Sequence, residues 1–335
     1  MRFGIFDHME HRGNELSQLY AERLEMLERA DEAGFWCYHK AEHHFIDLDA
    51  APSSNVFLAA ASQRTSRIRF GPLVYLLPFY HPLRLIEEIC SLDQLSGGRL
   101  ELGVGKGISP VEHRFWGLEP ARAKAQFEEA LEVVLQGLSA GVVDFEGRYY
   151  RFDGVDVNMR AYENRVPGLW YAGNAAYAGE RRMSTVVSGP VAMLAQTAKA
   201  HRDALAHPVA DCNPGTAVPT FAVKRHFYVA ATDEAAQARI EKAYPIYHEN
   251  LARLWKQYNE PFPSRDPSFG GDMHAAQAAQ DLLIGSPDSV AEHIETLARD
   301  VGAEYVILAF AWGDLSHREV LESLDLFVNE VMPRF

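Results

Sequence analysis

The feature that most constrains this chain is a regular alternation of short apolar runs with longer segments of helical period. The runs are Phe3–Phe6, Trp36–His39, Ile68–Leu77, Leu100–Val104, Leu169–Ala172, Thr185–Ser188, Phe221–Ala230 and Tyr305–Phe310. They are largely apolar along their length rather than at alternate positions, so they read as strands buried on both faces of a parallel sheet. Between them lie helical stripes, such as Leu16, Leu19, Tyr20, Leu24 and Leu27, or Phe127, Leu131, Val134, Leu135 and Leu138. Val56–Ser62 and His81–Leu95 read as helices too. Gly34 suits a left-handed helix stop. Ser286-Pro287-Asp288 is a helix start, and Ser316-His317-Arg318-Glu319 matches a capping box. Eight strand–helix units favour closure into an α/β (β/α)8 TIM barrel with insertions, the alternative being an open doubly wound sheet.

A length of 335 residues suggests two domains at ~150 residues each, yet an enlarged barrel accommodates it as well. No internal repeat or domain boundary is evident, which gives one barrel domain over residues 1–335. The surplus falls in a hairpin insertion near 145–167, turning at Glu146-Gly147, and in a lid-like loop near 258–279 rich in Pro, Gly, Ser and Ala.

Charge narrows the partners. Lys plus Arg number 32 against 46 Asp plus Glu, a net charge of −14, which disfavours nucleic acid and leaves room for one local phosphate site. Cys37, Cys90 and Cys212 are far apart and form no CxxC pair, the usage of small buried side chains in a reducing cytoplasm. The N-terminal residues lack an apolar signal core and no stretch nears the ~18 apolar residues of a membrane span, so a soluble cytoplasmic protein is expected.

A barrel builds its chemistry at the carboxyl ends of its strands. Three clusters fall there: Glu42-His43-His44-Phe45, Gly103-Val104-Gly105-Lys106-Gly107 and Ala172-Gly173-Asn174-Ala175-Ala176-Tyr177. His43 and His44 are adjacent and point opposite ways on extended chain, so they do not chelate one metal together. Asp7-His8 would have to contribute ligands, no HxH or HExxH spacing is present, and no metal is expected. The glycine run lets backbone approach a flat or phosphorylated ligand, although it lacks nucleotide-loop spacing. Lys106 and a helix start near Ala175, capped by Asn174, together make a phosphate seat. Phe79, Tyr80, Phe115 and Trp116 fit either an aromatic substrate pocket or ordinary core packing.

These residues resemble the bacterial luciferase-like monooxygenase family. The resemblance rests on Met1-Arg2-Phe3-Gly4-Ile5-Phe6, Glu42-His43-His44-Phe45, His81-Pro82, Leu92-Asp93-Gln94-Leu95-Ser96-Gly97-Gly98-Arg99 with the glycine run after it, Ile284-Gly285-Ser286-Pro287 and Val331-Met332-Pro333. It implies a barrel that binds FMN noncovalently, often as a homodimer, with reduced flavin delivered by a separate flavin reductase. In the family, O2 and reduced FMN give a flavin C4a-peroxide that oxidises a small organic substrate. By resemblance His43 is the catalytic histidine with Glu42 as its neighbour. Lys106 and Asn174 through Tyr177 face the flavin phosphate, and Leu73-Val74 carries a non-proline cis peptide beneath the flavin ring. Light-emitting relatives place a cysteine where this chain has Gly105, and an acidic residue and serine where it has Gly173 and Asn174. Oxidation of a small molecule is therefore expected rather than light emission. The alternatives are a deazaflavin-dependent hydride transfer and a non-catalytic flavin-binding protein.

Overall fold

The apolar runs become strands of a parallel sheet in the computed structural model, which describes residues 1–11, 13, 15–262 and 271–335. The strands are β1 (Arg2–Asp7), β2 (Cys37–Lys40), β3 (Arg69–Pro72), β4 (Tyr75–Leu76), β5 (Glu101–Gly105), β6 (Val142–Glu146), β7 (Arg151–Asp156), β8 (Gly168–Tyr171), β9 (Ser184–Val187), β10 (Phe221–Val229), β11 (Leu282–Gly285) and β12 (Tyr305–Ala309). Their order in the main sheet is β3-β2-β1-β12-β10-β9-β8-β5-β4, with β11 added to β10. A parallel bridge from Phe70 to Leu100 ties β3 to β5 and brings the two ends of that order together. The result is the barrel expected from the alternation.

Helices cover the outside, and their ends follow the local chemistry. The helix Leu16–Ala33 stops at Gly34, whose φ of 86° is left-handed. Ser286 caps the helix Pro287–Thr296, and Ser316 with Glu319 forms the full capping box. Cys37 and Cys90 are buried and Cys212 is half-buried. Among the described residues no helix is long and apolar enough to cross a membrane.

Three expectations change in detail. Ile68–Leu77 is not one strand but β3 and β4, separated by a cis peptide at Leu73–Val74. Before that peptide the chain pairs with β2, and after it with β5. The hairpin β6–β7 begins earlier than 145 and does not turn at Glu146-Gly147. Its turn runs from Gly147 to Tyr150, because the Glu129 carboxylate accepts the N–H groups of Arg148 (2.9 Å) and Tyr149 (2.8 Å). Finally, β11 was hidden by its shortness beside the helix start at Ser286. Of the segment 258–279, residues 263–270 lie outside the described residues, and Met273–Ala278 is a helix.

One end of the barrel interior is closed by polar groups bonded to each other. Glu101 accepts from the Trp170 indole at 2.6 Å and pairs with Arg69. The Tyr305 hydroxyl lies 2.8 Å from His39 Nε2, and the Arg2 guanidinium sits 4.7 Å over the Trp36 ring. Gly4 makes the room, since a Cβ there would lie 1.9 Å from the Tyr305 oxygen. Above this plug, Cys37, Leu73, Trp170, Ala222 and Ile307 pack as an apolar interior layer.

Candidate active site

At the other end, where the strands finish, the interior opens into a cavity of about 700 Å³. That is within the usual range for a small-molecule site. Phe6, Leu73, Val74, Leu76, Phe127 and Tyr171 supply most of its apolar wall. Of the residues singled out from sequence, Glu42, His43, Leu73, Val74, Gly105, Lys106, Gly173, Asn174, Ala176 and Tyr177 border it, while Ala175 is buried in the helix turn behind.

The glycines act first on the chain itself. A Cβ on Gly103 would meet the Pro72 carbonyl oxygen at 2.2 Å, and one on Gly105 would meet Val74 Cγ2 at 2.6 Å. Residues two apart on a strand share a face, so β5 offers a bare backbone edge against which the Leu73–Val74 bend lies. Gly173 does likewise for the Tyr171 ring, 2.6 Å from where its Cβ would be. A larger residue at either place would push into the cavity wall.

His43 follows β2 and faces a carboxylate that sequence reading did not find. Its Nδ1 lies 3.6 Å from Glu112 Oε1, an ion-pair contact, and its backbone N–H donates to Asp49 Oδ2 at 3.0 Å. Burial disfavours charge on the ring, but the Glu112 and Asp49 carboxylates outweigh it and hold the imidazole above its ordinary range. Glu112 is itself fixed. It sits in the helix Pro110–Phe115 capped by Ser109, and accepts the His44 N–H at 2.7 Å. Burial would raise its carboxyl, yet His43 and the His44 N–H hold it below the usual range. The clue in the sequence was Ser109-Pro110-Val111-Glu112, a helix-start pattern that places a carboxylate at a defined position.

Glu42 does not take the place expected beside His43. Its carboxylate accepts from the Tyr80 hydroxyl at 2.7 Å and faces His44 Nε2 at 3.1 Å, and burial pushes its ionisation upward. The adjacent histidines thus diverge, each toward a different glutamate. Phe79 and Trp116 stack on each other and meet the His44 ring edge-on. With Tyr80 and Phe115 they stand outside the cavity wall, which corrects the aromatic-pocket reading.

Lys106 is exposed at the rim, its ammonium donating to the Gly107 carbonyl at 3.2 Å. A second lysine, Lys124, also borders the cavity and lies 3.7 Å from Glu128. Asn174 caps the short helix Ala175–Glu180 by accepting the Tyr177 N–H at 2.9 Å. Ala175 and Ala176 belong to that first turn, whose N–H groups have no partner within the helix. Asp7 and His8 part company: Asp7 pairs with buried Arg23 at 2.8 Å, while the His8 ring lies 5.7 Å from that of His43. Among the described residues no three His, Cys, Asp or Glu side chains are grouped to hold a metal.

The fold and the site define a class: a parallel α/β barrel with an apolar cavity at its strand ends, a histidine–carboxylate pair in the wall and lysines at the rim. The chain belongs to the luciferase-like monooxygenase family, whose model matches residues 1–305. It is 32% identical to an uncharacterized protein of Sinorhizobium fredii over all of this chain and 97% of the relative. It is 24% identical to the oxygenase component of the flavin-dependent trigonelline monooxygenase of Acinetobacter baylyi, covering 100% and 96% of the two chains. Among solved structures, a monooxygenase from Streptomyces bottropensis superposes with TM-score 0.86 at 26% identity, covering 100% and 99%. The FMN complex of the oxygenating constituent of 3,6-diketocamphane monooxygenase from Pseudomonas putida gives TM-score 0.81 at 22% identity, with the same coverage. A coenzyme F420-dependent reductase from Methanopyrus kandleri shares the fold at TM-score 0.68 and 18% identity, covering 100% and 99%.

Proposed function

We propose that the protein is a flavin-dependent monooxygenase that uses reduced FMN and O2 to oxidise a small organic molecule. The observation that carries this reading is His43, paired with Glu112, in the wall of an apolar cavity floored by Leu73–Val74. FMN fits these residues. The bare edge at Gly103 and Gly105 sets a flat floor, and Phe6, Leu76, Phe127 and Tyr171 give the rings an apolar enclosure. Lys106, Lys124 and the turn beginning at Ala175 offer cation and N–H groups for the phosphate. Bound reduced FMN would supply the electrons that activate O2.

The chain's own part is to keep water out and to manage one proton. With Nδ1 toward Glu112, the His43 proton is held there, and Nε2 is the ring nitrogen left to serve a reacting group. Glu42 and His44 support the loop from behind, through Tyr80. Reduced flavin delivered by a separate reductase accords with the A. baylyi relative being named an oxygenase component.

The test supplies reduced FMN and labelled O2 to the protein with trigonelline, limonene or diketocamphane and follows products by mass spectrometry. One labelled oxygen atom per product molecule is expected. Turnover without oxygen incorporation, supported by reduced F420 and not by FMN, would replace this reading with hydride transfer. Saturable FMN binding with no reduced-flavin oxidation beyond the protein-free rate would leave a binding protein.

A further inference from the structure

We propose that Tyr171 is a cofactor-holding residue, its hydroxyl donating a hydrogen bond to the phosphate of bound FMN. The assignment rests on the flavin reading, and it adds a phosphate contact that no sequence motif marks.

Tyr171 closes β8, and both it and Gly173, two residues on, border the cavity. Its backbone is fixed, the carbonyl accepting from Thr185 Oγ1 at 2.8 Å. The ring packs against two others, with centroids 5.7 Å from Phe127 and 5.0 Å from Tyr177. That packing carries the hydroxyl over Gly173, where a Cβ would lie 2.6 Å from the ring and 2.8 Å from the hydroxyl oxygen. Glycine thus leaves the space that the phenol takes. Among the described residues nothing hydrogen-bonds that hydroxyl. Tyrosine hydroxyls usually find a partner where the ring is covered, so an orphan hydroxyl at a cavity wall points to a group held in the cavity.

The charges around it give a neutral donor its importance. Lys124 lies one turn before Phe127 in the helix Ala123–Ser139, so the two share a helix face, and both border the cavity. Lys124 is paired with Glu128 at 3.7 Å, and Arg181 with Glu180 at 3.4 Å. The Arg181 guanidinium also lies 3.7 Å from the centre of the Tyr177 ring. Glu128 and Glu180 border the cavity themselves, so each of these cations has an opposing carboxylate there. Their attraction for a phosphate is largely cancelled, and short-range hydrogen bonds have to supply what the pairs do not. The Tyr171 phenol suits the task. Burial, then the Glu128 carboxylate, push its ionisation upward, so it keeps its proton at neutral pH and remains a donor. A phosphate monoester offers that donor charged acceptor oxygens, whereas riboflavin ends in an uncharged alcohol.

The test titrates reduced FMN and, separately, reduced riboflavin into wild type and Tyr171→Phe without oxygen, following tryptophan fluorescence. Tyr171→Phe keeps the ring and its packing, so the melting temperature should stay at the wild-type value. Reduced FMN is expected to bind the variant about tenfold more weakly, the size of a hydrogen bond to a charged group. Reduced riboflavin should bind the two proteins within about twofold of each other. An unchanged FMN affinity in Tyr171→Phe would overturn the assignment. So would an equal loss for both flavins, which would put the hydroxyl against a part that the two share. Failure of both flavins to bind wild type refutes the flavin reading itself. Binding of FMN to wild type with no selective loss in the variant refutes the tyrosine contact alone.

Discussion

The closed and open ends of the barrel interior use similar residue types in opposite ways. At the closed end Arg69 and Trp170 both donate to Glu101, His39 bonds to Tyr305, and Gly4 makes space for that tyrosine. At the open end the glycines of β5 accommodate a backbone bend, and His43 stands in the wall of a cavity rather than in a plug. The difference shows how one scaffold separates stability from chemistry: polar groups that satisfy each other hold the fold, and those facing empty space are available to a ligand.

Substitutions at the two ends should therefore part cleanly, and the largest effect belongs to the open end. His43→Ala should lower kcat by about 10²–10⁴-fold, the range for removing a positioned acid–base group. FMN affinity and thermal stability should stay near wild type, as shown by oxygen-uptake kinetics beside calorimetry. Unfolding of this variant would erase the distinction between the ends. At the closed end, Glu101→Ala strands the Trp170 indole and the partly exposed Arg69. It should cost about 2–3 kcal/mol in urea denaturation, with kcat unchanged in the folded fraction.

Smaller effects sharpen the picture. Gly105→Ala drives a methyl group toward Val74 at the cavity floor. FMN affinity should fall about tenfold, with about 1–2 kcal/mol of stability lost. Glu112→Gln removes the carboxylate that keeps His43 above its ordinary range against burial. The ionisation governing turnover should move to lower pH, read from the pH profile of kcat, with FMN affinity unchanged. The linked stability has a definite sign. Because the folded-state value is raised, this pair stabilises the protein below about pH 6.5 for as long as Glu112 stays ionised, and ceases to do so as pH rises through the raised His43 value. The smallest change is Lys106→Met: an exposed cation is worth about 0.5–1 kcal/mol, so FMN should bind a few-fold more weakly, and salt should narrow the gap.

The barrel was legible because its signal is local and repeated: apolar runs, helical stripes, and stops such as Gly34 each point to the same architecture. What failed was also physical. Ile68–Leu77 is continuous in hydropathy, and only the pairing partners on either side of residues 73–74 divide it into β3 and β4. Leu282–Gly285 is too short to register beside its neighbouring helix start. In the site, His43, Gly105 and Asn174 stood out because motifs cluster residues close in sequence. Glu112 and Lys124 border the cavity from helices far along the chain, and no spacing rule links them to His43. Glu42 is adjacent to His43 in sequence, yet its side chain departs from that of His43 to join His44 and Tyr80.

The central claim is that the open end holds reduced FMN beside His43. Anaerobic titration of the protein with reduced FMN and, separately, with reduced F420 tests it most directly, following tryptophan fluorescence in wild type and Gly105→Ala. The account predicts saturable binding of one reduced FMN per chain, weakened by Gly105→Ala, with F420 bound at least about tenfold less tightly. Preferential binding of F420, or FMN binding that ignores the Gly105 substitution, would contradict it.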